Sequence, residues 1–322
     1  WARWADTILV APATLNIVGK IANGIADDLL TSMIAAAQVP VLIAPAMNTQ
    51  MYNNVIFREN LGRLMACGMN IITPACGELA CGETGDGRLA DIPDIVDAVL
   101  YVKHAKRPLS GKTCVVTAGP TREMIDPVRF LSNPSTGRMG FEMARALRVM
   151  GANVVLVTGP SSLRPPFDVE VNRVESAADM EREIKGLIGE TDILVMTAAV
   201  ADWRPEHRHG SKLKKSEFGG EIKLVRTVDI LAEISAAEHS ALVVGFALET
   251  DDADTNGLKK LEEKSLDLVV INTESSESGF ASADNSGILI DRYGKRTEVP
   301  KMDKYHMSEL IVDRIISMLD ID

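Results

Sequence analysis

Thr113-Cys-Val-Val-Thr-Ala118-Gly-Pro-Thr-Arg122 is the stretch on which the fold turns, together with Asp126-Pro-Val-Arg-Phe-Leu-Ser-Asn133-Pro-Ser-Thr-Gly137-Arg-Met-Gly140 and Gly151-Ala-Asn-Val-Val-Leu-Val-Thr-Gly159. The apolar run 113–118 reads as a buried strand, 137–150 carries a helical pattern, and 153–158 is a second apolar strand. That is a βαβ opening. Its helix starts among small and hydroxylated residues, Ser132, Asn133, Ser135, Thr136 and Gly137. Free backbone N–H groups and the helix dipole suit an anion there. The spacing is not G-x-G-x-x-G, so the usual dinucleotide fingerprint is absent. An ordinary capped helix after a long loop would look the same.

The alternation extends outward in both directions. Strands are expected over 7–11, 39–44, 70–73, 193–198, 242–247, 266–271 and 287–291. Helices are expected over 27–38, 54–67, 92–102, 177–187, 230–236, 254–264 and 304–319. Short apolar strands alternating with helices give an α/β protein with parallel sheets covered on both faces. A chain of 322 residues with 46% hydrophobic content holds two such domains. The boundary falls in 103–112, which has Pro, Gly and several basic residues, with a linker over 106–112 between domains 1–105 and 113–322. A basic binding patch is the competing reading of that stretch.

Net charge is −11 with no like-charge run, which argues against nucleic acid or an anionic membrane as the main partner. Small anionic ligands remain open. Four cysteines in so long a chain are no disulfide scaffold, and reduced cytoplasmic thiols are expected. There is neither a run of eighteen apolar residues nor a signal peptide. The start, Trp1-Ala-Arg-Trp-Ala-Asp6, runs at once into a strand and lacks Met, so a fragment without its true N-terminus is expected.

Several further residues are candidates on position alone. Asp202 follows the strand 193–198, where open α/β sheets bind ligands, and could hold a hydrated Mg²⁺ beside phosphates. It would equally serve as a turn or capping Asp. Ser211-Lys212-Leu-Lys-Lys215 could clamp a triphosphate, or be a solvated charge cluster. Lys260 and Lys264 are one helical turn apart and could share a face.

The segments 117–123, 126–140, Thr197-Ala-Ala-Val-Ala-Asp-Trp203, Lys212-Leu-Lys-Lys215 and Gly245-Phe-Ala-Leu-Glu-Thr250 resemble, in order, the motifs of the phosphopantothenate–cysteine ligase family. The resemblance runs from Pro108 to the C-terminus. It implies that the carboxylate of 4′-phosphopantothenate attacks the α-phosphate of CTP. An acyl-cytidylate and pyrophosphate result, and the amine of cysteine then displaces CMP. It implies Asp202 in the nucleotide–Mg²⁺ site and Lys212 on the nucleotide. Val228, Asp229, Ile230, Leu231, Phe246, Lys260 and Lys264 are implied as further nucleotide contacts. Asn133 would bind the acyl-cytidylate through its amide.

In the first domain, Ala11-Pro-Ala-Thr14-Leu-Asn16 and Ala44-Pro-Ala-Met47-Asn48-Thr-Gln-Met51 each close a strand in Pro-Ala and then a small polar residue. Together they could form one ligand rim; singly they are strand-to-helix turns. The glycine-dense 77–89, with Cys81 at its centre, reads as a mobile loop. Cys76 and Cys81 have no second Cys or His pair nearby, which disfavours zinc. These segments resemble the flavin-dependent cysteine decarboxylases that act on phosphopantothenoylcysteine, so this domain would be a truncated, flavodoxin-like member of that flavoprotein family. The resemblance implies FMN faced by Thr14 and Met47, Asn48 on the substrate carboxylate, and Cys81 as proton donor. The family's flavin loop and catalytic His would lie before residue 1, so the parent is expected to be bifunctional and this chain poor in decarboxylase activity. A homo-oligomer is also implied. A non-catalytic nucleotide- or flavin-binding module and an NAD-dependent reductase are the alternatives; the motif set and the missing glycine fingerprint speak against them.

Overall fold

The computed structural model describes every residue except 79–81, 83, 105, 215–220, 249–252, 273–283 and 320–322. The chain divides into two compact units, Trp1–Lys106 and Arg107–Asp322.

The first unit runs β1 (Ile8–Ala13), α1 (Leu15–Ala22), α2 (Leu29–Ala35), β2 (Val41–Pro45), α3 (Thr49–Tyr52), α4 (Val55–Ala66), β3 (Asn70–Ile71), β4 (Ala75–Glu78), β5 (Thr84–Arg88) and α5 (Ile92–Lys103). Three parallel strands form its sheet, in the order β1-β2-β3. Val18, Ile43, Phe57 and Leu64 are fully or almost fully buried around it. Asp28 starts α2 with a reciprocal capping box to Thr31, so that helix begins later than the apolar pattern suggests. The glycine-dense 77–89 is not simply a loop. Its flanks pair as the antiparallel hairpin β4–β5, with Gly77↔Gly85 and Glu78↔Thr84 opposed.

The second unit contains β6 (Thr113–Ala118), β7 (Arg122–Met124), β8 (Phe130–Ser132), α6 (Arg138–Val149), β9 (Asn153–Thr158), β10 (Glu170–Arg173) and α7 (Ala177–Leu187). There follow β11 (Ile193–Met196), β12 (Trp203–Pro205), β13 (Leu224–Arg226), α8 (Ile230–Ser235), β14 (Leu242–Leu248), α9 (Ala253–Glu263), β15 (Leu268–Asn272), β16 (Asp284–Asp291), β17 (Arg296–Asp303) and α10 (Lys304–Met318). Eight strands make one sheet in the order β10-β9-β6-β11-β14-β15-β16-β17. Six of them are parallel; β16 and β17 turn back antiparallel. The sheet is mostly parallel, as expected, and reverses only at that edge, where a tight turn joins β16 to β17. Asp291 Oδ1 accepts from the N–H groups of Tyr293 and Lys295, and Gly294 takes φ +79°.

Each face of this sheet has its own apolar layer. Phe141, Leu147, Met307 and Ile311 of α6 and α10 cover one; Met180, Ile184, Ile230 and Ile234 of α7 and α8 cover the other. The expected linker 106–112 is largely drawn into this unit. Leu109 is completely buried in the α6–α10 layer, its N–H donates to Met150 O, and Lys112 pairs with Asp192 at 2.9 Å.

Candidate functional site

Parallel strands of an open sheet all deliver their following loops to one edge, where a ligand crevice forms. In the second unit that edge holds a cavity of about 770 Å³. Glycine lets α6 approach it closely. Gly137 precedes α6 with φ +83°, and a Cβ there would stand 2.8 Å from Gly119 N. A Cβ on Gly140 would meet Ala118 Cβ and Thr197 Oγ1 at 2.5 Å each. The first turn of α6 therefore rests on the ends of β6 and β11. Buried threonines bind those ends together: Thr117 Oγ1 accepts from Ala198 N–H at 3.2 Å and Thr121 Oγ1 from Ala201 N–H at 3.0 Å.

Asn133, Asp202, Val228, Asp229, Ile230, Leu231 and Phe246, up to 113 positions apart in sequence (246 − 133), all line this one cavity. The antiparallel arm β12–β13 explains part of the convergence. It leaves the edge just after Asp202 and returns just before Val228, and Thr227 N–H donates to Asp202 O at 3.0 Å. Asp229 caps α8 by accepting from Ala232 N–H. Its carboxyl opposes burial but is held below its ordinary value by Lys264 and by that cap.

Three expected contacts fall elsewhere. Lys212, Lys260 and Lys264 do not line the cavity. The Lys264 ammonium is spent on Asp229, one step behind the lining. Lys212 stands exposed on a segment fastened to the Asn133 loop through Asp126. The Asp126 carboxylate accepts Val128 N–H, Arg129 N–H and Leu213 N–H, and pairs with the Arg129 guanidinium, which holds it well below the usual carboxylate range. Asn133 also departs from expectation. Its amide nitrogen donates to Ala199 O at 3.2 Å and Val200 O at 3.0 Å, so both hydrogens are committed and the group presents its oxygen. Arg226, Asn285 and Lys304 line the cavity without having been expected to.

In the first unit, β1 and β2 end side by side with Ala13 opposite Pro45. Thr14 caps α1, accepting from Ile17 N–H; Asn48 caps α3, accepting from Gln50 N–H at 2.7 Å. Met47 N–H donates to Gly87 O at 2.9 Å, and a Cβ on Gly87 would collide with Met47 O at 2.3 Å. The hairpin that carries the segment around Cys81 thus lies on the Met47–Asn48 turn; Cys81 itself lies outside the described residues.

Residues 1–104 match the Flavoprotein family, and residues 109–319 match the DNA/pantothenate metabolism flavoprotein C-terminal domain. The coenzyme A biosynthesis bifunctional protein CoaBC of Bacillus subtilis (strain 168) is 44% identical over 98% of this chain and 79% of its own length. The chain belongs to this family. Another relative, a cysteine/cysteine sulfinic acid decarboxylase of an unknown prokaryotic organism, is 42% identical over 98% of this chain and 90% of its own length. A crystal structure of the C-terminal domain of a CoaBC protein superposes with TM-score 0.59 at 37% identity, covering 67% of this chain and all of that one. The order of the two matched regions fits the division of this bifunctional family member into two units. No helix among its described residues is long and apolar enough to cross a membrane.

Proposed function

We propose that the second unit joins cysteine to 4′-phosphopantothenate at the expense of CTP, and that the first is the flavin-dependent decarboxylase acting on the product, phosphopantothenoylcysteine. The convergence of Asn133, Asp202, 228–231 and Phe246 on one cavity carries the ligase half. A carboxylate is a poor acyl donor, and transfer of a cytidylyl group to it supplies a leaving group. The carboxylate oxygen bonds to the α-phosphorus as pyrophosphate departs; the amine nitrogen of cysteine then bonds to the acyl carbon as CMP departs.

The cavity residues divide this work. The 228–231 turn and Phe246 hold the nucleotide, and Lys264 fixes Asp229 within that turn. Asn133, anchored to Ala199 and Val200, sets the loop that faces the acyl group, and its amide oxygen is left to accept an N–H of the incoming cysteine amine. The Lys212 segment, clamped through Leu213 to Asp126, brings positive charge towards the phosphates. Among the described residues no three Asp, Glu, His or Cys gather as a metal cluster. Asp202, a carboxylate on the cavity wall, would hold Mg²⁺ beside the phosphates, where the ion would spread the charge that builds during attack.

The first unit's residues fit FMN. Thr14 and Met47 sit on one strand-end rim, and Thr49 Oγ1, beside Gly85 of the hairpin, is buried without a hydrogen-bond partner. FMN would supply the electron sink for loss of CO₂; Asn48 would hold the substrate carboxylate and Cys81 a proton. A cytoplasmic homo-oligomer completes the proposal.

Pyrophosphate release with CTP, Mg²⁺, 4′-phosphopantothenate and cysteine tests the ligase, beside Asn133→Ala. Release that requires phosphopantothenate and falls in the variant is expected. Silence from a folded, CTP-protected protein would leave a binding module. For the first unit, CO₂ release from phosphopantothenoylcysteine compared with cysteine sulfinate decides between the two named activities of its relatives.

A further inference from the structure

Gly85 and Gly87 are alternate residues of β5, so both face the same side of the hairpin. That side lies on the turn that carries Asn48. A Cβ on Gly85 would stand 2.5 Å from Thr49 Oγ1, 3.1 Å from Thr49 Cγ2 and 3.4 Å from Thr49 Cβ. A Cβ on Gly87 would stand 2.3 Å from Met47 O and 3.6 Å from Tyr52 Cβ. The two glycines leave β5 one face without side chains, and residues 47–52 fill it. Met47 N–H donates to Gly87 O at 2.9 Å and ties the two backbones together across this contact. Thr49 Oγ1 is buried without a hydrogen-bond partner, so the contact at Gly85 is one of shape alone.

The turn needs this support. α3 has four residues, and a single helical turn does not hold itself. Tyr52 fixes its far end to the core: it is 7% exposed and packs on Phe57 with ring centroids 5.8 Å apart. β5 supplies the second contact, at Met47 and Thr49. Between them stands Asn48, the N-cap of α3, whose Oδ1 accepts Gln50 N–H at 2.7 Å. The direction of the Asn48 side chain therefore follows the position of the turn.

We propose that Gly85 is a positioning residue of the first unit: with Gly87 it gives the turn 47–49 a flat seat on β5, and this seat, closed by Thr49, holds Asn48 where it meets the substrate carboxylate. The inference rests on the decarboxylase reading above. Gly85→Ala places a methyl group roughly 1 Å too close to Thr49 Oγ1, ordinary contact beginning near 3.4 Å. Thr49 is branched at Cβ with both heavy branches towards Gly85, and rotation about χ1 turns only one of them away. The hairpin has to lift from the turn, which loosens the bond from Met47 N–H to Gly87 O. Thr49→Ala removes both branches and leaves Cβ at 3.4 Å, so it makes room for the same methyl group. The hydroxyl it removes has no bond to lose.

The full chain with FMN, Gly85→Ala, Thr49→Ala and the double variant are compared by the KM for phosphopantothenoylcysteine in CO₂ release. Inhibition by the decarboxylated product, which lacks the group Asn48 holds, is measured in the same assay. Hydrogen exchange at the Met47 amide is followed by NMR, with the Ala46 amide, bonded to Ala13 O at 3.0 Å, as reference. Gly85→Ala is expected to raise the KM about tenfold or more and to leave the inhibition constant of the product within about twofold. Exchange at Met47 quickens about tenfold or more, while that at Ala46 stays within about twofold. In the double variant both effects shrink to within about threefold of Thr49→Ala. A Gly85→Ala variant that behaves like the unmodified chain, equal losses for substrate and product, equal quickening at Ala46 and Met47, or no recovery in the double variant overturns the assignment. If the unmodified chain releases no CO₂, the decarboxylase reading fails by itself. The seat then stands or falls on the exchange at Met47 and its recovery. Should Gly85→Ala not fold, the double variant decides: it folds and keeps the KM of Thr49→Ala, and if it too fails to fold, Thr49 is not what excludes a side chain at position 85 and the assignment falls.

Discussion

Replacing Gly140 by Ala puts one methyl group where α6 rests on the sheet. The added Cβ would stand 2.5 Å from Ala118 Cβ, 2.5 Å from Thr197 Oγ1 and 2.8 Å from Thr117 O. Ordinary contact begins near 3.4 Å, so the start of α6 has to retreat by roughly 1 Å. The neighbours cannot yield, since Ala118 and Thr117 are completely buried in β6. Overpacking of this kind costs about 1–3 kcal/mol, against which Ala recovers up to about 1 kcal/mol of helix propensity. The second unit should therefore lose about 0–2 kcal/mol, or up to about 8 °C in its melting transition. Catalysis should suffer far more than stability, because Arg138 to Gly140 line the cavity and a displacement of about 1 Å can cost on the order of a hundredfold in rate. Thermal unfolding and pyrophosphate release, measured on the same preparation well below the melting transition, read the two effects separately. A variant that melts normally and turns over normally would show that α6 is not held at the edge by this contact. An unstable variant with normal turnover when folded would show that its position does not matter to the chemistry.

His306 pairs with Asp303, whose carboxylate raises the imidazole above its ordinary value, while the imidazolium lowers Asp303. The pair's contribution is thus fully present below about pH 6.5, is lost as pH rises through the raised His306 value, and is lost at the acid end as Asp303 protonates. NMR titration of the ring checks this; a His306 midpoint at or below 6.5 refutes it. Cys114 is buried and its thiol pushed up by desolvation, whereas Cys67 and Cys76 are exposed. Alkylation at pH 8 should label Cys67 and Cys76 in the native protein and Cys114 only after unfolding; rapid native labelling of Cys114, mapped by mass spectrometry, would contradict its burial. Arg314 pairs with Asp291 at 2.9 Å, and the side chains are 9% and 3% exposed. Arg314→Met strands the buried carboxylate and should cost about 3–5 kcal/mol in urea unfolding, and a change below about 1 kcal/mol would mean that Asp291 needs no charge partner.

The interior of the fold was legible because its period is simple. Residues 113–118, 153–158 and 193–196 are apolar on both faces, as strands between two helix layers must be, and each strand lies where its run of apolar residues predicted. The same logic hides the edges. β10, Glu-Val-Asn-Arg, is half exposed at one end of the sheet, and β17 at the other carries Arg296, Glu298, Pro300 and Lys301. Charged residues and proline on an edge strand deter further pairing, and they also erase the pattern by which a strand is recognised. The glycines of β4 and β5 mislead in the opposite direction. Composition suggests a loop, yet Gly87 is glycine because Met47 O occupies the place of its Cβ.

The site was legible only where a motif lies beside a strand end. Asn133, Asp202, the 228–231 turn and Phe246 each follow or close a parallel strand or its returning arm, so the edge that gathers the loops gathers them too. The resemblance assigned Lys212 and Lys264 to the nucleotide; in the structure Lys264 pairs with Asp229 and Lys212 stands on a tethered segment. Asn285 and Lys304 left no trace in the sequence because their place depends on β16 and β17 reversing direction. Until that hairpin is known, nothing says that the start of α10 lies at the same edge as the start of α6.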